Sequence, residues 1–180
     1  MKEITVIDSA FAYGGFTSGN KGIWTRNEPF DPPAADYVSL GEKLRVPLSK
    51  VIRPYQAGGD RVEAVGAGHG GSGVIKDNEL RQVDGLVTAE KGIVLSVIAA
   101  DCVPVYLVAE KAEVIGILHC GWKSAAGELL YNAVDGLDSG RSHDNDLFLE
   151  KIGDTFVRIV DIISRTMIAL LYAFAAGDTF

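Results

Sequence analysis

The chain has 180 residues, enough for one sizeable hydrophobic core and about one domain. Apolar residues make up 47% and charged residues 23%, which is typical of a folded globular protein and unlike a disordered segment. The net charge of -7 comes without any basic stripe, which argues against a nucleic-acid partner.

The first part of the chain predicts a strand, a glycine-rich loop, a helix and a pair of strands. Residues 4–7 form a short strand, and because the start shows no signal peptide we expect a cytoplasmic protein. The stretch YGGFTSGNKG (13–22) is predicted to be a loop, although it lacks the spacing of a phosphate-loop motif. Ala35–Leu44 has apolar residues among polar ones and is predicted to be a helix. Residues 51–56 and 61–65 are predicted to pair with each other around a glycine turn.

Three apolar runs in the middle of the chain predict buried strands. Residues 93–99, 103–108 and 114–118 lack polar alternation, which is typical of strands covered on both faces. Cys102 follows the first run and His119 follows the third. We therefore expect a single α/β domain, with a mixed sheet and helices on its faces, in which the first and third runs are central.

The last part of the chain predicts helices. Residues 123–137 carry an apolar stripe at helical spacing. Residues 147–176 are rich in apolar residues, but charged residues, among them Arg158, Asp161 and Arg165, interrupt them, which argues against a membrane span and favours one or two helices packed on the domain. We assign 138–180 to an atypical helical C-terminal segment.

Cys102 and His119 are the candidate functional residues. A thiolate and an imidazole at neighbouring strand ends can act as a nucleophile and its base, or as two of three protein ligands of an open zinc site. A buried thiol and a core imidazole without any catalytic role are the ordinary alternative, and residue types alone leave these possibilities open. Because no export signal is visible, Cys102 and Cys120 are expected to be thiols rather than a disulfide.

Two strings carry a resemblance to a known family. DGLVTAEKGIVLSVIAADCVPVYL (84–107) and IGILHCGWKSAAG (115–127) resemble the signature D-x-L-V-T … A-D-C-x-P-V-x-L … H-x-G-W-[RK]. This signature is that of the laccase-domain, or polyphenol oxidase, family of YfiH-like proteins, now regarded as purine nucleoside phosphorylases. The resemblance implies a YfiH-like layered sandwich over residues 1–137, and it gives Cys102 and His119 catalytic and zinc-binding roles.

Further contacts to substrate or phosphate are expected from four residues. Gly14, Gly15 and Thr17 resemble part of the family's glycine-rich element, and Lys123 lies at the start of the helix predicted after His119. An ammonium group at a helix N-terminus favours anions such as phosphate.

The chain departs from the family pattern in three places. Gly58 stands where the family has its first zinc-ligand His, and Ala12 stands where it has an Arg. The family's C-terminal G-P-x-I-x-x-C-Y-E-V element has no counterpart. His69 and His143 could replace the missing ligand only if their loops folded back. We therefore expect weak zinc binding, and we expect copper less because oxidase copper sites need several His ligands.

The resemblance implies an enzyme that converts a purine nucleoside and phosphate to free base and ribose 1-phosphate. Adenosine deamination and methylthioadenosine cleavage are further implied activities. The expected partners are these small molecules, with neither nucleic acid nor membrane. Two alternatives remain: a relict that binds metal or nucleoside without turnover, and a metal-free hydrolase with Cys102 as nucleophile and His119 as base.

Overall fold

A computed structural model of the chain describes residues 2–18, 35–139, 156–159 and 167–173. Within these ranges the strands are β1 (Lys2–Asp8), β2 (Ala12–Ser18), β3 (Val51–Ile52), β4 (Val62–Ala64), β5 (Gly85–Thr88), β6 (Val94–Ala99), β7 (Val103–Ala109), β8 (Val114–Cys120), β9 (Phe156–Ile159) and β10 (Met167–Ala173). The α-helices are α1 (Ala35–Leu44), α2 (Trp122–Ala126) and α3 (Leu129–Ser139). None of the helices in these ranges is long and apolar enough to cross a membrane.

The strands form two five-stranded sheets, each with one parallel pair among antiparallel ones. The first sheet has the order β1-β2-β10-β6-β3, in which β3 and β6 are parallel. The second has the order β4-β5-β8-β7-β9, in which β4 and β5 are parallel. Both β6 and β8 have a neighbour on each side. Their predicted central position is confirmed, although they lie in different sheets.

The two sheets pack face to face around the main core. Leu95 and Val97 of β6 share one buried cluster with Tyr106 of β7 and with Ile115 and Ile117 of β8. These residues alternate along their strands, as side chains that point to one face of a sheet must. The core therefore lies between the sheets.

Helices cover the two outer faces. Tyr37 of α1 packs with Val94 of β6 on the first sheet. Leu129 of α3 packs with Leu107 of β7 and Leu118 of β8 on the second. The order of layers is helix, sheet, sheet, helix, so the expected single-domain α/β sandwich is confirmed.

The predicted glycine-rich loop is wrong for residues 13–18, which belong to strand β2. A Cβ on Gly15 would lie 2.6 Å from the Ile4 carbonyl oxygen, so the glycine lets β1 approach closely. The Tyr106 hydroxyl also donates a hydrogen bond to the Gly15 carbonyl at 2.9 Å. Close packing of a strand, rather than a loop, explains the glycine here. Residues 19–22 lie outside the described residues.

The predicted pairing of residues 51–56 with 61–65 is also wrong. β3 pairs with β6 in the first sheet and β4 pairs with β5 in the second. The chain crosses from one sheet to the other between them. The N–H groups of Ala57, Gly58 and Gly59 bind the Asp84 carboxylate instead of closing a hairpin.

Two predicted helices differ from the structure. The helix expected over 123–137 is interrupted: α2 ends at its C-cap Gly127, whose N–H donates to the Ser124 carbonyl, and α3 follows. The helical prediction for 138–180 is wrong over β9 and β10, which pair with β7 and with β2 and β6. An apolar run without alternation suits an inserted strand as well as a buried helix, and periodicity does not separate them. The rest of that segment beyond α3 lies outside the described residues.

Candidate functional site

A pocket of about 400 Å³ lies at the carboxyl ends of β3, β6 and β8, and it contains both candidate residues. That size suits a small organic ligand. Its lining comes from three segments: Arg53, Pro54, Gln56, Ala57 and Gly58 after β3; Ile98, Ala100, Asp101 and Cys102 at the end of β6 and in the bend before β7; and His119, Gly121, Trp122 and Lys123 where β8 meets α2.

His119 is held by Asp84, which directly precedes β5. The Asp84 Oδ1 atom lies 2.9 Å from His119 Nδ1, and the His119 N–H donates to the Asp84 carbonyl at 2.7 Å. An ionised carboxylate can only accept, so Nδ1 carries the hydrogen. Nε2 is left with a lone pair that can bind a metal or take a proton.

The Asp84 carboxylate is fully buried and surrounded by donors. Besides His119 it accepts the N–H groups of Ala57 at 3.1 Å, Gly58 at 2.9 Å and Gly59 at 2.9 Å. Burial alone would raise the pKa of Asp84, but the hydrogen bonds from His119 and from these N–H groups outweigh it and hold the pKa below its usual range. Asp84 is therefore a fixed negative charge that joins the segment after β3 to the end of β8.

Cys102 lies in the bend between β6 and β7, with its Sγ 3.5 Å from Asp101 Oδ1. In the ladder of β7 and β8, Val103 is opposite Cys120, which brings Cys102 beside Gly121. A Cβ on Gly121 would lie 3.3 Å from Cys102 Sγ, a tight contact that the glycine avoids. The thiol therefore packs against the segment that follows His119. The expected distance of about 4 Å between the ligating atoms of Cys102 and His119 stays a prediction.

Cys120 is the other cysteine, and it points away from the site. It packs at the edge of the buried cluster under α3, on the opposite face of β8 from His119, because adjacent strand residues face opposite sides. Burial raises the pKa of the Cys120 thiol, which favours its protonated form. Both cysteines are free thiols, as expected.

Gln56 fixes the strand end that leads to Cys102. Its Oε1 accepts the Ile98 N–H at 2.8 Å and its Nε2 donates to the Ile98 carbonyl at 2.6 Å. The side-chain amide thus extends the sheet beyond β3, as a backbone amide would. Both ends of that amide are used for this purpose.

Positive charge enters the pocket from two sides. Lys123 follows the exposed Trp122 at its rim, and the Lys123 ammonium lies 5.5 Å from the centre of the indole ring. Arg53 is 1% exposed. Burial raises the pKa of the Tyr37 hydroxyl. The nearby Arg53 charge and the hydrogen bond between Tyr37 and Ser96 act in the opposite direction and offset part of that rise.

The residues present supply an incomplete zinc site. A thiolate and an imidazole are suitable zinc ligands. Position 58, however, offers only open space, since no atom lies within 4 Å of where its Cβ would be. Among the described residues no three His, Cys, Asp or Glu side chains are grouped closely enough to hold a metal ion. A site with three protein donors does not fit this part of the chain.

Other predicted site residues lie elsewhere. Gly14, Gly15 and Thr17 are buried in β2 and are not among the residues that line the pocket. His69 accepts the Gly66 N–H at Nδ1 and does not line the pocket either. His143 lies outside the described residues. Of the predicted site residues, the structure brings together Cys102, His119 and Lys123, and Gly58 lines the same pocket.

Asp84, Gln56 and Arg53 are residues of the site that the sequence analysis did not identify. Asp84 begins the D-x-L-V-T string, so a signal existed, but no role was assigned to it. Gln56 and Arg53 lie within a segment predicted as a strand, where their side chains had no assigned partners. Ile98, the partner of Gln56, lies 42 residues away along the chain, and Tyr37, on which the Arg53 charge acts, lies outside the segment that contains Arg53.

Comparison with known proteins gives concordant matches. The family model described as multi-copper polyphenol oxidoreductase laccase matches residues 11–153. Purine nucleoside phosphorylase YlmD of Geobacillus stearothermophilus is 34% identical over 116 residues, 63% of this chain and 42% of that protein. Adenosine deaminase RL5, from an unknown prokaryotic organism, is 31% identical over 99 residues, 54% of this chain and 38% of that protein.

Among solved structures, YlmD from Geobacillus stearothermophilus matches with a TM-score of 0.63 and 26% identity. The match covers 84% of this chain and 58% of that one. The sequence matches to YlmD and to adenosine deaminase RL5 cover only about two fifths of the length of those proteins. Because the family model covers well over half of the sequence, the chain belongs to the multi-copper polyphenol oxidoreductase laccase family.

Proposed function

We propose that the pocket binds a purine nucleoside and phosphate and catalyses phosphorolysis to the free base and ribose 1-phosphate. The observation that carries this proposal is the Asp84–His119 pair, which presents an oriented imidazole to the pocket that Cys102 lines. The names of the relatives described above support the choice of reaction. Adenosine deamination and methylthioadenosine cleavage are candidate activities of the same site.

The charges of the pocket suit the reactants. Phosphate is an anion, and Lys123 and Arg53 supply positive charge at the rim and in the wall. In the reaction a phosphate oxygen bonds to C1′ of the ribose while the bond from C1′ to the base breaks, and the electron pair leaves with the base. Negative charge lies on the phosphate and develops on the departing base. Positive groups stabilise it best when they are already held in position before the reaction.

His119 has a defined role in that reaction. Its Nε2 can take the proton of the attacking phosphate and then give it to the departing purine, so that atoms and charge balance. Asp84 keeps the ring in this tautomer and stabilises the protonated form.

Zinc is the proposed metal, held weakly by Cys102 and His119, and copper is less suited to this donor set. When bound, zinc would polarise an oxygen of phosphate or water. His119 Nε2 cannot hold a metal and a proton together, so the two roles compete and metal titration separates them.

A second candidate is a metal-free hydrolase with Cys102 as nucleophile and His119 as base. The observation in its favour is again Asp84, because a nucleophile and base need a third group that orients the base. This activity would depend on the thiol and not on phosphate.

The test is release of free base from inosine by the full chain, with and without phosphate, with added zinc and with a chelator. Base and ribose 1-phosphate appearing together, only with phosphate, support phosphorolysis. Base released without phosphate, and abolished by alkylation of the thiol, supports the hydrolase. Tyr131→Ala, an exposed change outside the pocket, is the matched control.

A further inference from the structure

Trp122 combines two properties that rarely occur together. It lines the pocket, and it is 79% exposed, the highest exposure among the large apolar residues whose side chains are described. Leaving an indole in water forgoes the stabilisation that burial would give. Two positions further on, Ser124 is buried, so α2 turns a small polar residue inward and the indole outward. Packing of the fold does not explain this arrangement.

The indole is already paired with a cation. The Lys123 ammonium lies 5.5 Å from the ring centre, within the range of a cation–π interaction. An ammonium occupies one face of a ring and leaves the other for a flat partner. The ring is thus presented to the pocket beside a group that attracts anions.

The carboxamide that lines the pocket is already engaged with the main chain. Asn and Gln side chains are the usual partners of purine edges. Gln56 is the only carboxamide side chain among the lining residues that the structure describes, and both of its ends bind Ile98. A stacking partner for the face of the base would therefore add to whatever contacts its edge makes.

We propose that Trp122 is the stacking platform for the purine base and sets the preference of the site for purine over pyrimidine nucleosides. This inference rests on the proposed function, since it takes a nucleoside as the ligand. Stacking grows with the area of ring overlap, so a two-ring purine gains more than a one-ring pyrimidine. It also tolerates different substituents on the base edge, so adenosine, inosine and guanosine bind with similar affinity.

The test measures binding rather than turnover. Dissociation constants of inosine, adenosine and uridine are determined by calorimetry for wild type, Trp122→Ala and Trp122→Phe, without phosphate. Trp122→Ala is expected to weaken the affinity for inosine and for adenosine by roughly 5- to 150-fold, which corresponds to the free energy of stacking one base. Uridine should change much less, and Trp122→Phe should keep most of the purine affinity. Tyr131→Ala, which removes another exposed aromatic outside the pocket, should bind as wild type does.

A second readout uses fluorescence. The chain has two tryptophans, Trp24 and Trp122, so Trp24→Phe leaves Trp122 as the single indole. Its emission should be quenched by inosine in parallel with the calorimetric binding curve.

The outcomes separate this inference from the proposed function. Purine binding that depends on Trp122, in a protein without phosphorolysis, supports the platform and removes the proposed reaction. Phosphorolysis with unchanged purine affinity in Trp122→Ala removes the platform alone. Equal losses of inosine and uridine affinity would also overturn it, and a wild type that binds no nucleoside would overturn both.

Discussion

Asp84 and His119 are joined by two hydrogen bonds, one between their side chains at 2.9 Å and one between their main chains at 2.7 Å. They directly extend the ladder of β5 and β8, in which Gly85 is opposite Leu118. The position of the imidazole is therefore set by the sheet itself. The same carboxylate binds three successive N–H groups at residues 57–59, so one buried charge ties together two walls of the pocket.

Replacing Asp84 with Asn should destabilise the protein and release His119. An amide has one acceptor oxygen and brings two donors of its own, so several of the surrounding N–H groups lose their partner. We expect the free energy of unfolding to fall by roughly 2–4 kcal/mol, as for the loss of hydrogen bonds to a buried charge. Urea unfolding measures this. Asp101→Asn, an exposed carboxylate at the same pocket, is the control and should change stability little; equal effects of the two changes would contradict the assigned role of Asp84.

Acid should weaken the fold through the same residue. The folded pKa of Asp84 is lowered, so its contribution to stability is fully present above the ordinary aspartate pKa of about 3.9 and is lost as the pH falls through the lowered value. The stability difference between wild type and Asp84→Asn should shrink as the pH falls below about 4. Urea unfolding at a series of pH values measures the difference. A difference that changes already near neutral pH would implicate another group.

Gly58→His should raise zinc affinity at some cost in stability. The position has open space for a side chain, but its φ is +74°, a left-handed conformation that costs a residue with a Cβ about 1–2 kcal/mol. His tolerates this region better than most residues. Gly58→Ala carries the same strain without an imidazole and is the matched control. Of the two variants, only Gly58→His should retain more zinc after dialysis than wild type. Its affinity for zinc should be about tenfold higher or more.

Free imidazole offers a version of that experiment without strain. Added to wild type, it can enter the open space at position 58 and serve as the third donor. Zinc retained after dialysis should then increase with imidazole concentration. It should not increase in Gly58→His, where the space is filled. Stoichiometric zinc in wild type without imidazole would show that another donor completes the site.

Cys102→Ala and Cys120→Ala should have opposite outcomes although they remove the same group. Cys102 lines the pocket and Cys120 packs under α3 with a raised pKa. Loss of Cys102 should abolish zinc retention, and it should abolish base release if the thiol is the nucleophile of a hydrolase. Loss of Cys120 should leave both intact and should lower unfolding stability by about 1 kcal/mol through lost packing. Zinc content and base release of the two variants provide the comparison.

The sequence pattern predicts an element well when that pattern fits only one kind of structural environment. Ala35–Leu44 is a helix with the predicted bounds, and the apolar runs that became β6 and β8 are buried as expected. Residues 167–173 carry the same kind of apolar pattern, and nothing local shows that they are inserted between β2 and β6. Gly15 is similar, because the reason for a glycine there is the Ile4 carbonyl of another strand.

The candidate site follows the same division. Cys102 and His119 carry unusual chemistry, so their types alone marked them, and both line one pocket. Asp84 is a common residue whose importance depends on partners 25 to 35 residues away. Such a role becomes visible only when the chain is folded.

The placement of β10 has a consequence for how the protein is made. This strand connects β2 to β6 within the first sheet, so among the described strands the hairpin of β1 and β2 has no other backbone partner in that sheet until residues 167–173 arrive. A ribosome delivers the first strands long before the one that joins them to the rest. The hairpin of β1 and β2 must therefore wait with an exposed edge, and edges of that kind are where chains aggregate. Chaperone dependence during synthesis, with slow closure of the first sheet, is the expected signature of this order of assembly.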